Sequence, residues 1–202
     1  NFGVNYRVRF DFIANDGDPR FFRVDNLTDS EQTNYANWFT YYRKREYVMK
    51  RALSQLITTS QARMGLATLQ NNFGVGTPIS DMTNQSNKDN LLSRLFQIFP
   101  SGLTPLRTTL RNVGRYFDQN DGASHASLGF DDASPILPQS EGGECQQNFT
   151  VLFSDGFWNG NNPGDIFNED GDNNSAFDGG PHADSVSKTL ADVAMKYYEN
   201  VK

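Results

Sequence analysis

Apolar residues at 35, 38, 39, 42, 49, 52, 53, 56 and 57 (Tyr, Trp, Phe, Tyr, Met, Ala, Leu, Leu, Ile) fall on one stripe of a period near that of the α-helix. Thr28-Asp-Ser-Glu31 stands in front of them as a capping box, so the pattern predicts one long helix from about 28 to 57 with its aromatic stripe in the core. Arg63 to Leu69 is a short apolar run, read as a buried strand although its Met, Leu and Ala leave it ambiguous with helix. Leu91, Leu92, Leu95, Phe96 and Phe99 predict a second helix, opening at Ser86-Asn-Lys-Asp89 and ended by Pro100. Thr104 as cap and Pro105 at the first helical position open a third, through Leu106, Leu110, Val113 and Phe117.

Further on, Phe149, Val151 and Phe153 alternate with Thr150 and Leu152, and Ser154-Asp155-Gly156 closes the run, which predicts a buried strand. A last helix is expected from about Asp184, with Asp184 or Ser185 as cap, through Leu190, Val193, Ala194 and Tyr197. Residues 118–146 and 156–183 are rich in Asp, Asn, Gly and Ser and read as loops. The order helix, strand, helix, helix, strand, helix predicts an α/β fold with a mostly parallel sheet covered on both faces. Two strands are few for such a sheet, which has about five or six. The first strand is therefore expected to lie outside this chain.

With 202 residues, 37% of them hydrophobic and 13% aromatic, the chain suits one domain despite a mean hydropathy of -0.63. A net charge of -6 and a pI near 4.9 argue against nucleic acid or an anionic membrane as main partner. No apolar stretch approaches the ~20 residues of a membrane span. The chain opens at Asn1 without a leader pattern, which suits a fragment or a mature piece. Cys145 is the single cysteine, either a small buried apolar residue, the favoured reading, or half of a bridge to a partner outside the chain.

Chemistry concentrates in two places. Asp155 follows the predicted strand and Thr104 opens a helix, so a carboxylate and a hydroxyl would converge at one sheet edge, as a Mg²⁺ site with few protein oxygens requires. An ordinary cap and a turn aspartate would leave the same trace. Asn168, Asp170, Asp172, Asn174 and Asp178 place side-chain oxygens at alternate positions of a loop, as in a Ca²⁺ loop, yet Ser175 and Pro181 stand where an EF-hand needs Gly and Glu. A solvated acidic loop fits equally. No G-x-S-x-G elbow, P-loop or H-E-x-x-H occurs.

Taken in order, the segments Asn34 to Arg45, Arg63 to Ala67, Thr104 to Arg107, Gly114 to Phe117, Cys145 to Thr150, Ser154 to Asn159, Asp170 to Asp172, Phe177 to Pro181 and Thr189 to Met195 resemble the N-terminal von Willebrand factor A region of PilY-type proteins. These are adhesin and assembly factors of type IV pilus tips. The resemblance implies a Rossmann-like von Willebrand factor A domain, here partial over residues 28–202, with residues 1–27 as the tail of an insertion. It also implies an adhesion site around Mg²⁺, built from a D-x-S-x-S motif, a Thr and an Asp. Thr104 and Asp155 match the last two; the first is absent and is expected upstream.

The function so implied is a non-enzymatic adhesion and assembly module, extracellular at a pilus tip or outer cell surface. Its partners would be minor pilins of the tip or receptor proteins on a host or surface, reached through the divalent cation. Two rivals stand beside it. A Mg²⁺-dependent hydrolase would use Asp155, but lacks a second strand-end carboxylate and a phosphate-binding lysine; a structural fibre segment would need no metal.

Overall fold

The computed structural model describes residues 7–10, 20–23, 27–69, 76–100, 102–118, 135–154 and 156–199. The chain divides into two compact units, Asn1–Gln55 and Leu56–Lys202.

In the first unit, β1 (Arg7–Phe10) and β2 (Arg20–Arg23) form an antiparallel pair in which Arg7 faces Arg23 and Phe10 faces Arg20. The capping box forms as its spacing demands: Thr28 N–H donates to Glu31 Oε2 at 2.9 Å, and Glu31 N–H donates to Thr28 Oγ1 at 3.4 Å. It opens α1 (Asp29–Tyr41), which stops where α2 (Arg45–Thr59) has yet to begin. The single long helix is thus two, broken at residues 42–44. The aromatic stripe is not core: Trp38, Phe39 and Tyr42 are each 44% exposed and α1 buries no residue. These rings pack on one another and on cations instead, with Tyr35 6.0 Å from both Trp38 and Phe39 and the Arg43 guanidinium 3.9 Å from the Phe39 ring.

In the second unit, β3 (Arg63–Leu66) pairs antiparallel with β4 (Thr77–Asp81), Arg63 opposite Asp81 and Leu66 opposite Thr77. The strand at Arg63 is where its apolar run placed it. Its partner carries Pro78, which an edge strand tolerates because the missing N–H faces outward. The two ladders of the described residues are both antiparallel.

Among the described residues, the helices α3 (Gln85–Gln97), α4 (Leu106–Phe117) and α5 (Leu190–Glu199) pack in this unit. In α3 the Asn84 side chain accepts from Ser86 N–H, so the helix opens earlier than Ser86-to-Asp89 suggests, and Leu91 and Leu95 point into the core. In α4 Tyr116 is buried against Ala67, Ile79, Val113 and Phe117, and its hydroxyl accepts from Ile79 N–H at 3.1 Å. Helix α5 packs on α4 through Gly114, where a Cβ would lie 2.2 Å from the Tyr197 ring. That close approach is why a residue that weakens helices sits in the middle of one.

The run from Phe149 to Phe153 departs from expectation. It carries no strand pairing among the described residues, and Phe149, Val151 and Phe153 are 79%, 72% and 48% exposed. Alternation is a local property, whereas a strand exists only with a neighbour to bond, and none of the described strands pairs with this segment. The segment is held at its start instead: Gln146 Oε1 accepts from Leu137 N–H and from Arg63, and Gln146 Nε2 donates to the carbonyl of Pro135. Cys145, in the turn before it, is free and exposed rather than buried.

Candidate functional site

The N-terminal turn of α4 and the segment 158–161 are built as one corner. Pro105, not Thr104, occupies the cap position, and no side chain caps the helix, which corrects the expected arrangement. Thr104 is bracketed by a single residue: its N–H donates to Asn159 Oδ1 at 2.6 Å, and its carbonyl accepts from Asn159 N–H at 3.0 Å and from Leu106 N–H at 3.0 Å. Thr108 Oγ1 donates to the Asn161 carbonyl, and the Arg107 guanidinium lies 3.8 Å from the centre of the Trp158 ring while its Nη1 donates to the Lys188 carbonyl. Gly160 has φ +108°, and a Cβ there would stand 3.1 Å from Pro105 Cβ, so the chain passes the helix start at a spacing only glycine accepts without strain.

The corner therefore spends the backbone of Thr104 completely and leaves its hydroxyl with no hydrogen-bond partner among the described residues. A hydroxyl so placed suits a metal ligand. Asp155, the carboxylate expected to join it, lies outside the described residues.

A second group of polar residues lies where the loop 165–179 meets α5. Arg111 Nε and Nη2 reach Asp165 Oδ2 at 2.9 and 2.8 Å, fixing the loop's first end to α4. Burial alone would raise the Asp165 carboxyl, but the hydrogen bond and charge of Arg111, helped by the charge of Lys196, hold it below its ordinary value. Asp192, 2% exposed, fixes the loop to the start of α5: its Oδ1 accepts from Glu169 N–H at 2.9 Å and its Oδ2 from Thr189 N–H at 2.7 Å, while Thr189 Oγ1 accepts from Asp192 N–H at 3.0 Å. This reciprocal cap at Thr189 replaces the one expected at Asp184 or Ser185.

Beyond these anchors the loop curls so that Gly179 N–H donates to the Asp170 carbonyl at 3.0 Å. The curl brings carboxylate oxygens of Glu169, Asp172 and Glu199 within 4.8 Å of one another. Asp178 borders them: Ser175 N–H donates to Asp178 Oδ2 at 2.7 Å and Ser175 Oγ donates to Glu199 Oε2 at 2.8 Å, so one serine joins both acids. Burial pushes the Glu199 carboxyl up, and the neighbouring charges of Asp172, Asp178 and Glu169 push it the same way against the Ser175 hydrogen bond. Lys196 Nζ stands 3.7 Å from Glu169 Oε1.

The loop residues chosen from their alternation divide unequally. Asp172 and Asp178 reach the cluster; Asn168 Oδ1 and Asp170 Oδ1 are buried and unpartnered among the described residues. Asn174 is exposed and turned to another use, donating from N and Nδ2 to the two Asp172 oxygens at 3.1 and 2.7 Å. Glu169 and Glu199 went unread in the sequence, the first masked by its acidic neighbours and the second thirty residues away at the end of a helical pattern. Spacing within the loop cannot point to Glu199; its place on the last turn of a helix returning to the loop could.

The chain is 28% identical over 190 residues to "Type IV pilus biogenesis factor PilY1" of Pseudomonas aeruginosa strain UCBPP-PA14, covering 85% of this chain and 15% of that protein. The factor of the same name from strain PAK is 25% identical over 198 residues, 87% of this chain and 16% of that protein. No family model matches the chain, and no solved structure does. The chain thus spans about 15% of the length of these relatives. By this similarity the chain is a PilY-type relative, alike in sequence to one stretch of a type IV pilus biogenesis factor.

Proposed function

We propose that this chain is the part of a pilus-associated surface factor that engages partner proteins, a non-enzymatic adhesion and assembly module of von Willebrand factor A type. The observation that carries the reading is similarity to PilY1 proteins along 85 to 87% of the chain. Minor pilins of the tip, or receptor proteins on a surface, are the partners this reading assigns, at the outside of the cell. Contact would be made at the Thr104 corner, through a Mg²⁺ ion held by the Thr104 hydroxyl and Asp155 together with oxygens from elsewhere in the full-length factor. Support for that placement comes from Asn159, which ties the segment following Asp155 to Thr104 on both of its backbone groups. A bound Mg²⁺ would keep part of its water shell and offer an open position to a partner's acidic side chain.

The test uses the full-length factor in piliated cells. Asp155→Ala and Thr104→Val are expected to reduce Mg²⁺-dependent attachment and partner capture about tenfold while surface amounts of the factor stay unchanged. Attachment equal to wild type, with the same loss on chelation, would sink the reading.

A further inference from the structure

We infer that Glu169, Asp172, Asp178 and Glu199 form a Ca²⁺ site that pins the loop 168–179 to the C-terminal turn of α5. Three of these acids present oxygens within 4.8 Å of one another. Calcium holds its ligands at about 2.4 Å, so two oxygens across one ion stand up to about 4.8 Å apart. Oxygens no further apart than this can reach one ion together. Asp178 adds a fourth acid through Ser175, which bonds both it and Glu199.

Proximity of acids is common on surfaces, and burial is what separates this group from an ordinary acidic patch. Asp170, in the same curl, is 8% exposed, and its Oδ1 is buried with no hydrogen-bond partner among the described residues; Glu169 is 4% exposed. Asp178 Oδ1, Glu199 Oε1 and Asn168 Oδ1 are likewise buried and unpaired. Buried oxygens with neither hydrogen bond nor counter-ion are costly, and here several acceptors sit in one short stretch without donors. Lys196, at 3.7 Å from Glu169, offsets a single charge of the four. A divalent cation supplies what donors do not. All candidate ligands are hard oxygens, without histidine or thiolate among them, and carboxylates with an amide oxygen nearby are the donor set that calcium takes in preference to zinc. The departure from EF-hand spacing follows from the chain path: the ligand that closes the site comes from a helix rather than from the twelfth loop position.

The inference is independent of the pilus reading, because its test needs the metal alone. Titrating the chelator-treated full chain with calcium chloride in a calorimeter is expected to give saturable one-site binding. Asp172→Asn weakens it about tenfold or more, and Glu199→Gln does the same, since affinity in such sites follows the number of charged ligands. Asp172 is exposed, so its substitution does not unfold the chain in a way that imitates lost binding. Glu144→Gln, an exposed acid outside the cluster, leaves the affinity unchanged. In parallel, calcium slows thermolysin cleavage before Phe177 in the wild type and not in Asp172→Asn. Absence of saturable heat at millimolar calcium, or equal affinity in the wild type and both variants, overturns the assignment.

Discussion

The two loops that meet the helices of the second unit treat their polar atoms in opposite ways. At the Thr104 corner most groups are spent internally: Asn159 serves both backbone groups of Thr104, Arg107 is stacked and donates from Nη1 with only its Nε left buried and unpartnered, and Thr108 reaches Asn161. The loop 168–179 is as well anchored where it starts, but three of its side-chain oxygens, on Asn168, Asp170 and Asp178, are buried without donors, as is Glu199 Oε1 beside it on α5. A saturated corner fixes geometry and can present one hydroxyl accurately. An unsaturated loop stores an unfavourable electrostatic energy that only a bound cation or protons relieve.

The contrast breaks most severely at Asp192. Asp192→Ala removes the acceptor of Glu169 N–H and the cap of α5 together, and is expected to cost about 2–4 kcal/mol in urea unfolding, because a buried donor is left unpaired and a helix end uncapped. A loss no larger than that of an exposed alanine substitution would show that the loop is not held by α5.

Asn159→Ala tests the other side. It deletes the hydrogen bond to Thr104 N–H but leaves the Asn159 backbone contact, so about 1–2 kcal/mol should be lost, with no change in calcium affinity. Calcium binding that weakened in this variant would mean the two loops are coupled rather than separate devices.

Titration gives the smallest and most diagnostic effect. The Asp165 carboxyl is held low, so its contribution to stability is present above the ordinary aspartate value of about 3.9 and is lost as pH falls through its lowered folded value. Glu199 is raised, so without calcium its contribution is complete below the ordinary glutamate value of about 4.3 and fades as pH rises through the raised folded value. Thermal melts across acid pH should show Asp165→Asn flattening the low-pH fall, and Glu199→Gln abolishing the decline on the other side. Calcium should remove that second decline in the wild type alone.

Much of the helical framework was legible because it depends on local rules. The Thr28 to Glu31 box and the stripe of α4 need only spacing, and both appear where spacing puts them. The break at residues 42–44 was hidden because Tyr-Arg-Lys contains neither Gly nor Pro. Strand β4 was hidden because Thr-Pro-Ile-Ser-Asp has one aliphatic side chain and a proline, and is recognisable only by its partner β3. The reverse error occurred at Phe149 to Phe153, where a good strand pattern has no ladder among the described strands. Of the site residues, Thr104 was found for a reason that proved different, as a bracketed loop residue rather than a cap. Asp172 and Asp178 were visible as alternating oxygens, whereas Glu169 and Glu199 became ligand candidates only through the return of α5.

Gly114 sets the gauge of that return. Helix α5 carries Asp192 near one end and Glu199 at the other, and Tyr197, which lies against Gly114, sits two residues from Glu199. A methyl at 114 has no room, so it would shim the two helices apart and carry Glu199 away from Asp172 by part of an ångström or more. Coordination falls off over such displacements, which makes a glycine that touches no carboxylate a tuning screw for the affinity of the loop.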